Sequence, residues 1–188
     1  MAKAASNSEN KARVVKPPAA VKTVRELIYW EYARLIARGA GFESNYRFIM
    51  SRFQKLKRGE IHWTDIMHDD RKTIERGKTT CIYCGCTDNL SWDHLIPISK
   101  GGPNIISNQI VACRSCNSSK GDKDIFEWYA GRHEEIPALV KSKYLKLVYD
   151  FHEAMGTLEL SDVNMDGGLD VMDLGAVFQV PFPKEGLT

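Results

Sequence analysis

Five cysteines, Cys81, Cys84, Cys86, Cys113 and Cys116, fall inside a 36-residue window, and four of them form two Cys-x-x-Cys pairs separated by 28 residues. Each pair can bend two thiolates onto one face of a metal ion. Four such sulfurs complete the closed tetrahedral shell of structural Zn²⁺, at about 2.3 Å per bond. The clustering speaks against a disulfide framework, which in a secreted chain would be spread along the sequence. Cys81, Cys84, Cys113 and Cys116 are therefore expected to hold a structural zinc, with Gly85 easing the turn of the first knuckle. Cys86 stands outside the spacing, as a free thiol or at most a substitute ligand. An ion with four thiolates has no open position, so its expected role is to staple a hairpin to a later helix. Metal binding energy of order 10 kcal/mol can replace the core that so short a loop cannot bury.

Between the pairs runs Leu90-Ser91-Trp92-Asp93-His94-Leu95-Ile96-Pro97, an alternating strand that carries an adjacent Asp–His pair. A turn-rich loop, Ser99-Lys100-Gly101-Gly102-Pro103, follows it, and Asn108 to Ala112 then lead into the second knuckle. An imidazole titrates near neutral pH and can act as a general base. Successive strand residues point to opposite sides, so Asp93 and His94 cannot share one flat face. Singly, an Asp–His pair is an ordinary surface feature and an asparagine an ordinary turn cap. In this order, Asp93-His94, Gly101-Gly102, Asn108 and Cys113-Arg114-Ser115-Cys116-Asn117-Ser118-Ser119-Lys120 resemble the HNH nuclease family over about 50 of the 188 residues.

That resemblance implies a two-stranded hairpin and a helix gripping one divalent metal, and an enzyme that hydrolyses DNA phosphodiester bonds. Such hydrolysis needs a water deprotonated near neutral pH and positive charge on the developing oxyanion and the leaving oxygen. By resemblance His94 is the base, Asn108 orients it and pins the loop, and Asp93 and Asn117 are the protein ligands of a catalytic Mg²⁺ or Mn²⁺. Many family members have histidine where this chain has Asn117, and an oxygen ligand favours the harder metals. Lys120 and Arg114 are expected to contact phosphate. Phe126, Trp128 and Tyr129 are expected to pack the following helix. The residues alone leave open a non-catalytic zinc module that binds nucleic acid, or a zinc domain that binds an acidic protein. Neither of these would need Asp93, His94 and Asn117 together.

A second oxygen-rich pattern lies near the C-terminus, where Asp162, Asn164, Asp166 and Asp173 occupy positions 1, 3, 5 and 12 of a loop with Gly167 at position 6. It resembles an EF-hand-like Ca²⁺ loop, closest to the dockerin variety, in a single copy. An acidic, turn-rich tail with no ion accounts for the same residues.

The elements that must position the central residues are mostly helical. Thr23-Val24-Arg25-Glu26 reads as a capping box, followed by Val24, Leu27, Ile28, Leu35 and Ile36 on one helical face, with Gly39 as the left-handed stop. Ser44 is expected to cap a second helix with Ile49, Phe53 and Leu56 buried and Gly59 at its end. A third helix is expected over 64–76. Pro137 to Met155 reads as a helix with Leu139, Val140, Leu147, Val148 and Phe151 facing inward, packed against the N-terminal helices. The fold class is thus α+β, mainly helical, around a central ββα-metal module stapled by four cysteines. The expected organisation is a loose tail (1–20), a basic helical DNA grip (21–78), the catalytic module (79–131), a packing helix (132–156) and an acidic tail (157–188).

Charge follows the same division. Residues 1–80 carry 17 basic and 9 acidic side chains, 81–150 carry 8 of each, and 151–188 carry 1 and 7, although the net charge is only +2. A basic half suits a polyanion, whose condensed counterions are released on binding. Arg47, Arg52, Lys55, Lys57 and Arg58 would line its exposed faces. The hydrophobic fraction of 43% is ordinary, and no run approaches the ~18 apolar residues of a membrane span. The first 20 residues lack the apolar stretch of a secretory signal, so a cytoplasmic protein is expected, restriction-type or phage-borne, and a homodimer if its sites are symmetric.

Overall fold

The computed structural model describes residues 17–62, 80–132 and 134–179. The helix expected over 64–76 and the last nine residues lie outside them. The helices are α1 (Val24–Gly39), α2 (Tyr46–Lys57), α3 (Arg114–Lys120), α4 (Ile125–Arg132), α5 (Ala138–Ala154) and α6 (Met172–Ala176), and the strands β1 (Leu90–His94) and β2 (Gln109–Cys113). Short 3₁₀ turns at Ile98–Lys100, Ile106–Asn108 and Val177–Gln179 complete the described elements. The outcome is the mixed architecture expected, with a two-stranded antiparallel sheet among helices.

Helix α1 starts where the capping residues lie. Thr23 Oγ1 accepts the N–H of Glu26 at 3.3 Å, while the Glu26 carboxylate accepts the N–H of Lys22, one residue before the position a reciprocal capping box would use. Gly39 is the last helical residue, and the left-handed glycine is Gly41, at φ +73°. The cap of α2 is Asn45, whose Oδ1 accepts the N–H of Phe48 at 3.0 Å, instead of Ser44. Asparagine serves an N-cap as well as serine, so the cap moves by one residue at no cost. Ile49, Phe53 and Leu56 are buried as expected, and Gly59 ends the helix at φ +71°.

Helix α5 is the spine. It packs on α1, where Tyr32 donates its hydroxyl to the Ser142 carbonyl at 3.1 Å, and it buries Val140, Leu145, Leu147 and Val148. The segment read as an acidic tail carries core residues: Leu158, Leu174, Val177 and Phe178 are all buried. Its backbone accepts from the start of α1, Val24 N–H to Leu160 O at 2.9 Å and Arg25 N–H to Leu158 O at 2.8 Å. Helix α5 also meets the hairpin, through the 3₁₀ turn before β2 and through Lys143, whose ammonium donates to the Gln109 carbonyl.

Candidate metal and catalytic centre

The hairpin register is Leu90↔Cys113, Ser91↔Ala112, Trp92↔Val111, Asp93↔Ile110 and His94↔Gln109. Alternation turns Asp93, with Ile110 and Ala112, to the buried side, and Trp92 and His94 to the outer side. The knuckle before β1 is tied down by Ile82 N–H to Val111 O, and Gly85 makes its turn at φ +77°. Helix α3 then begins directly after β2, capped by the Cys113 side chain.

This brings Cys81, Cys84, Cys113 and Cys116 together, with all four sulfurs within 4.8 Å of one another. A tetrahedron with bonds of about 2.3 Å has edges of about 3.8 Å, and Cys84 Sγ lies 3.8 Å from Cys113 Sγ. The donor set therefore fits a four-coordinate ion. The Cys116 backbone N–H holds the Cys113 thiol down to about 6, and the Cys86 backbone N–H lowers Cys84. Burial instead pushes Cys116 up, so a cation is what would make all four thiolates together. Cys86 is outside the group, with its sulfur toward the Asp88 carbonyl.

Asp93 is buried and held by two donors. Tyr83 donates its hydroxyl to Oδ2 at 2.8 Å, and the Lys120 ammonium lies 3.5 Å from Oδ1 and 3.4 Å from Oδ2. The same ammonium donates to the His94 carbonyl at 2.8 Å. Lys120, expected at phosphate, is 1% exposed, because the helix ends with its side chain under the hairpin and its charge directed at Asp93. That position corrects the expected phosphate contact.

His94 faces outward, with Nε2 3.1 Å from Asn104 Oδ1, which also accepts from Gln109 Nε2 at 3.4 Å. An amide oxygen only accepts, so in this arrangement Nε2 carries the hydrogen, and the nitrogen left for other contacts is Nδ1. Asn108 is fully buried beneath the loop. Its Oδ1 accepts the Ile96 N–H at 2.8 Å, and its Nδ2 donates to the Ile96 and Pro103 carbonyls, each at 2.9 Å. Asn117, on α3, donates from Nδ2 to the Trp92 carbonyl at 3.3 Å, which sets it beside the residue preceding Asp93. Among the described residues no hydrogen bond to its Oδ1 is made. A carboxylate has about four lone-pair sites, so Asp93 keeps room for one more contact. The oxygens of Asp93 and Asn117 thus suit a hard, partly hydrated cation.

Gly101 and Gly102 have separate reasons to be glycine. Gly101 sits at φ +85° with a Cβ position 2.0 Å from the Phe178 carbonyl oxygen, and a Cβ on Gly102 would lie 2.1 Å from the Ile96 carbonyl oxygen. Tyr83 and Asn104 are the site residues the sequence did not single out. Tyr83 fills a spacer position between two metal-site cysteines, and Asn104 follows a proline in a loop, so neither position advertises a role. Trp128 and Tyr129 pack against Tyr83 in T-shaped contacts, as core aromatics.

The remaining expectations divide. Lys57 pairs with Glu26 and Arg58 with Glu60, so two of the five cations read as a DNA grip are already neutralised, while Arg52 lies over the Phe48 ring. Arg47, Lys55 and Arg114 have no such acidic partner among the described residues. In the C-terminal loop Asp162 accepts the N–H groups of Asp166 and Gly167, and Asn164 Oδ1 that of Asp166. Asp173 is buried and accepts from Val163, Asn164 and Asp170. These carboxylates serve the loop's own amides, and among the described residues the four cysteines form the one group of His, Cys, Asp or Glu ligand atoms that all lie within 4.8 Å of one another.

Residues 81–123 match the family model described as HNH endonuclease, so this stretch is similar to the domain of that family. Over 61 residues the chain is 31% identical to the CRISPR-associated endonuclease Cas9 of Corynebacterium diphtheriae, covering 30% of this chain and 6% of that protein. Over 96 residues it is 32% identical to the SPbeta prophage-derived protein YoqL of Bacillus subtilis, whose name assigns it to the HNH endonucleases, covering 45% of this chain and 39% of the relative. The matches span well under half the length of these curated relatives. No solved structure matches the chain. Among the described residues no helix is long and apolar enough to cross a membrane.

Proposed function

We propose that this protein is a metal-dependent HNH endonuclease that hydrolyses DNA phosphodiester bonds. The observation that supports the reading is the meeting of β1 and α3, where Asn117 donates to the carbonyl of Trp92, one residue before the Asp93–His94 pair. The thiol cluster suits Zn²⁺ in a structural role, and the Asp93 and Asn117 oxygens suit Mg²⁺ or Mn²⁺. That second cation, when bound, supplies positive charge at the scissile phosphate.

The chain's own residues supply the rest. His94 takes a proton from water at Nδ1, while Asn104 holds the ring through Nε2. Asn108 fixes the loop after β1 by three hydrogen bonds, which sets the direction in which the imidazole points. Tyr83 and Lys120 hold the Asp93 carboxylate from the buried side, and Lys120 also fixes the backbone of His94. Arg114, Arg47 and Lys55 are the exposed or half-exposed cations available to phosphates. The prophage origin in the name of YoqL supports a phage-borne setting.

Plasmid cleavage in Mg²⁺ tests the reading, with the natural chain beside His94→Ala and Asp93→Ala. The natural chain converts supercoiled plasmid to nicked or linear forms, and both variants lose this by at least about a hundredfold. If all three bind the plasmid and none cuts it, the module is a non-catalytic zinc domain.

A further inference from the structure

The outer face of the hairpin carries a large apolar side chain that contributes nothing to the core. Trp92 is 62% exposed, whereas Trp30 and Trp128 are 8% and 3% exposed. Its ring makes no aromatic contact among the described residues, and its cross-strand partner Val111 is half-buried. Trp92 and His94 lie on the same face of β1, two residues or about 6.7 Å apart. The Trp92 carbonyl is held by Asn117, so the backbone beneath the indole is tied to the helix that carries that amide.

Other exposed side chains of the hairpin and its loop have a matching chemistry. Ile105 and Ile106 are 45% and 85% exposed, in the same loop as Asn104, which contacts His94. Lys100, in the loop between the strands, and Arg114, directly after β2, are exposed and make no ion pair among the described residues. An exposed aromatic ring on a hairpin that also carries unpaired cations complements a nucleic-acid strand, whose bases offer π faces and whose phosphates offer charge. In a duplex successive bases are already about 3.4 Å apart, in contact with each other, and present no face to an indole. A base released from its stack does.

We infer that Trp92 is a stacking platform for an unpaired nucleobase beside the scissile phosphate, so that the preferred substrate is single-stranded or locally opened at the cut. The inference rests on the nuclease reading for the position of that phosphate. The test uses oligonucleotides of one sequence, single-stranded, fully paired, or paired with a central unpaired stretch, in Mg²⁺. The natural chain cuts the unpaired forms in preference to the duplex. Trp92→Ala lowers the ratio of kcat/KM for unpaired over paired substrate about ten- to hundredfold, the scale of one base–aromatic stack, and Trp92→Phe keeps most of it. An unchanged ratio in Trp92→Ala overturns the inference and leaves the nuclease reading standing. Binding supplies the independent arm. In a His94→Ala background, single-stranded DNA quenches tryptophan fluorescence, and the quench disappears on adding Trp92→Phe. Absence of that quench overturns the stacking role whether or not the natural chain cuts.

Discussion

The Lys120 ammonium lies 2.8 Å from the His94 carbonyl oxygen and within 3.5 Å of both Asp93 oxygens, fully shielded from solvent. One cation thus fixes the backbone of one site residue and the side chain of its neighbour. Lys120→Met leaves the buried Asp93 with a single donor, and removing one partner of a buried pair costs about 3–5 kcal/mol. Urea unfolding of the variant is expected to show a loss of that size together with lost cleavage. A midpoint equal to that of the natural chain would mean the ammonium does not hold the site together.

Asn108 satisfies the loop after β1 with three hydrogen bonds from a fully buried position. Asn108→Ala strands the Ile96 N–H in the interior together with the carbonyls of Ile96 and Pro103, at about 1–3 kcal/mol for each group left unpaired. Thermal denaturation should report a lowered midpoint, and the remaining folded protein should cut poorly. Full activity in the folded fraction would show that the loop holds His94 in place without it.

Removing the metal of the thiol cluster should destabilise the hairpin, because its binding energy then no longer adds to the Ile82–Val111 and Tyr83–Asp93 hydrogen bonds that also join this region. Strong chelation is therefore expected to collapse near-UV circular dichroism and release one zinc per chain, while withholding Mg²⁺ stops cutting and leaves the spectrum intact. Cys113→Ser should lose the zinc, and Cys86→Ser should retain it, since the Cys86 sulfur lies outside the cluster. Loss of the ion in Cys86→Ser would redefine the ligand set.

Gly101 cannot carry a side chain without moving the Phe178 backbone, since its Cβ would sit 2.0 Å from that carbonyl oxygen at a left-handed φ of +85°. Gly101→Ala should cost about 3 kcal/mol from the combined strain and overlap. Chemical denaturation measures it, and a cost below about 0.5 kcal/mol, the scatter of ordinary surface changes, would remove this contact from the fold.

His152 ties α5 to the C-terminal segment, with Nδ1 2.7 Å from Thr157 Oγ1 and Nε2 3.1 Å from the Leu174 carbonyl. Burial holds its imidazole down to about 4, against a usual value near 6.5. The unfolded chain therefore binds the proton first as pH falls. Stability from this group is intact above about pH 6.5, declines between about 6.5 and 4, and is gone below, a change of roughly 3 kcal/mol. Unfolding free energy measured across that window should slope with pH in the natural chain and flatten in His152→Gln.

The parts of this fold legible in the sequence are those where one residue type admits few alternatives. Doubled Cys-x-x-Cys spacing leaves little besides a metal cluster, and the alternation from Leu90 to His94 with its later partner strand gives the hairpin. For Asn108 only the family resemblance pointed to a residue that pins the loop, since by its type alone an asparagine there reads as a turn cap. What stayed hidden depended on direction and depth. Lys120 looks like a surface cation until the end of α3 is seen to point it inward. The C-terminal segment looked like a tail because six acidic residues outweigh the scattered Leu158, Leu174, Val177 and Phe178 that bury it. The capping shift from Ser44 to Asn45 is a choice between two good caps that only the neighbouring chain decides.

The contact between Gly101 and Phe178 also bears on when the protein becomes active during synthesis. The hairpin loop seats against a backbone made some 75 positions after it, and well after residue 123, where the family match ends. A nascent chain that has emerged only through its cysteine knuckles lacks the surface this loop closes on. On the nuclease reading, chains shortened to before residue 178 lack the backbone that seats this loop and are expected to cut poorly.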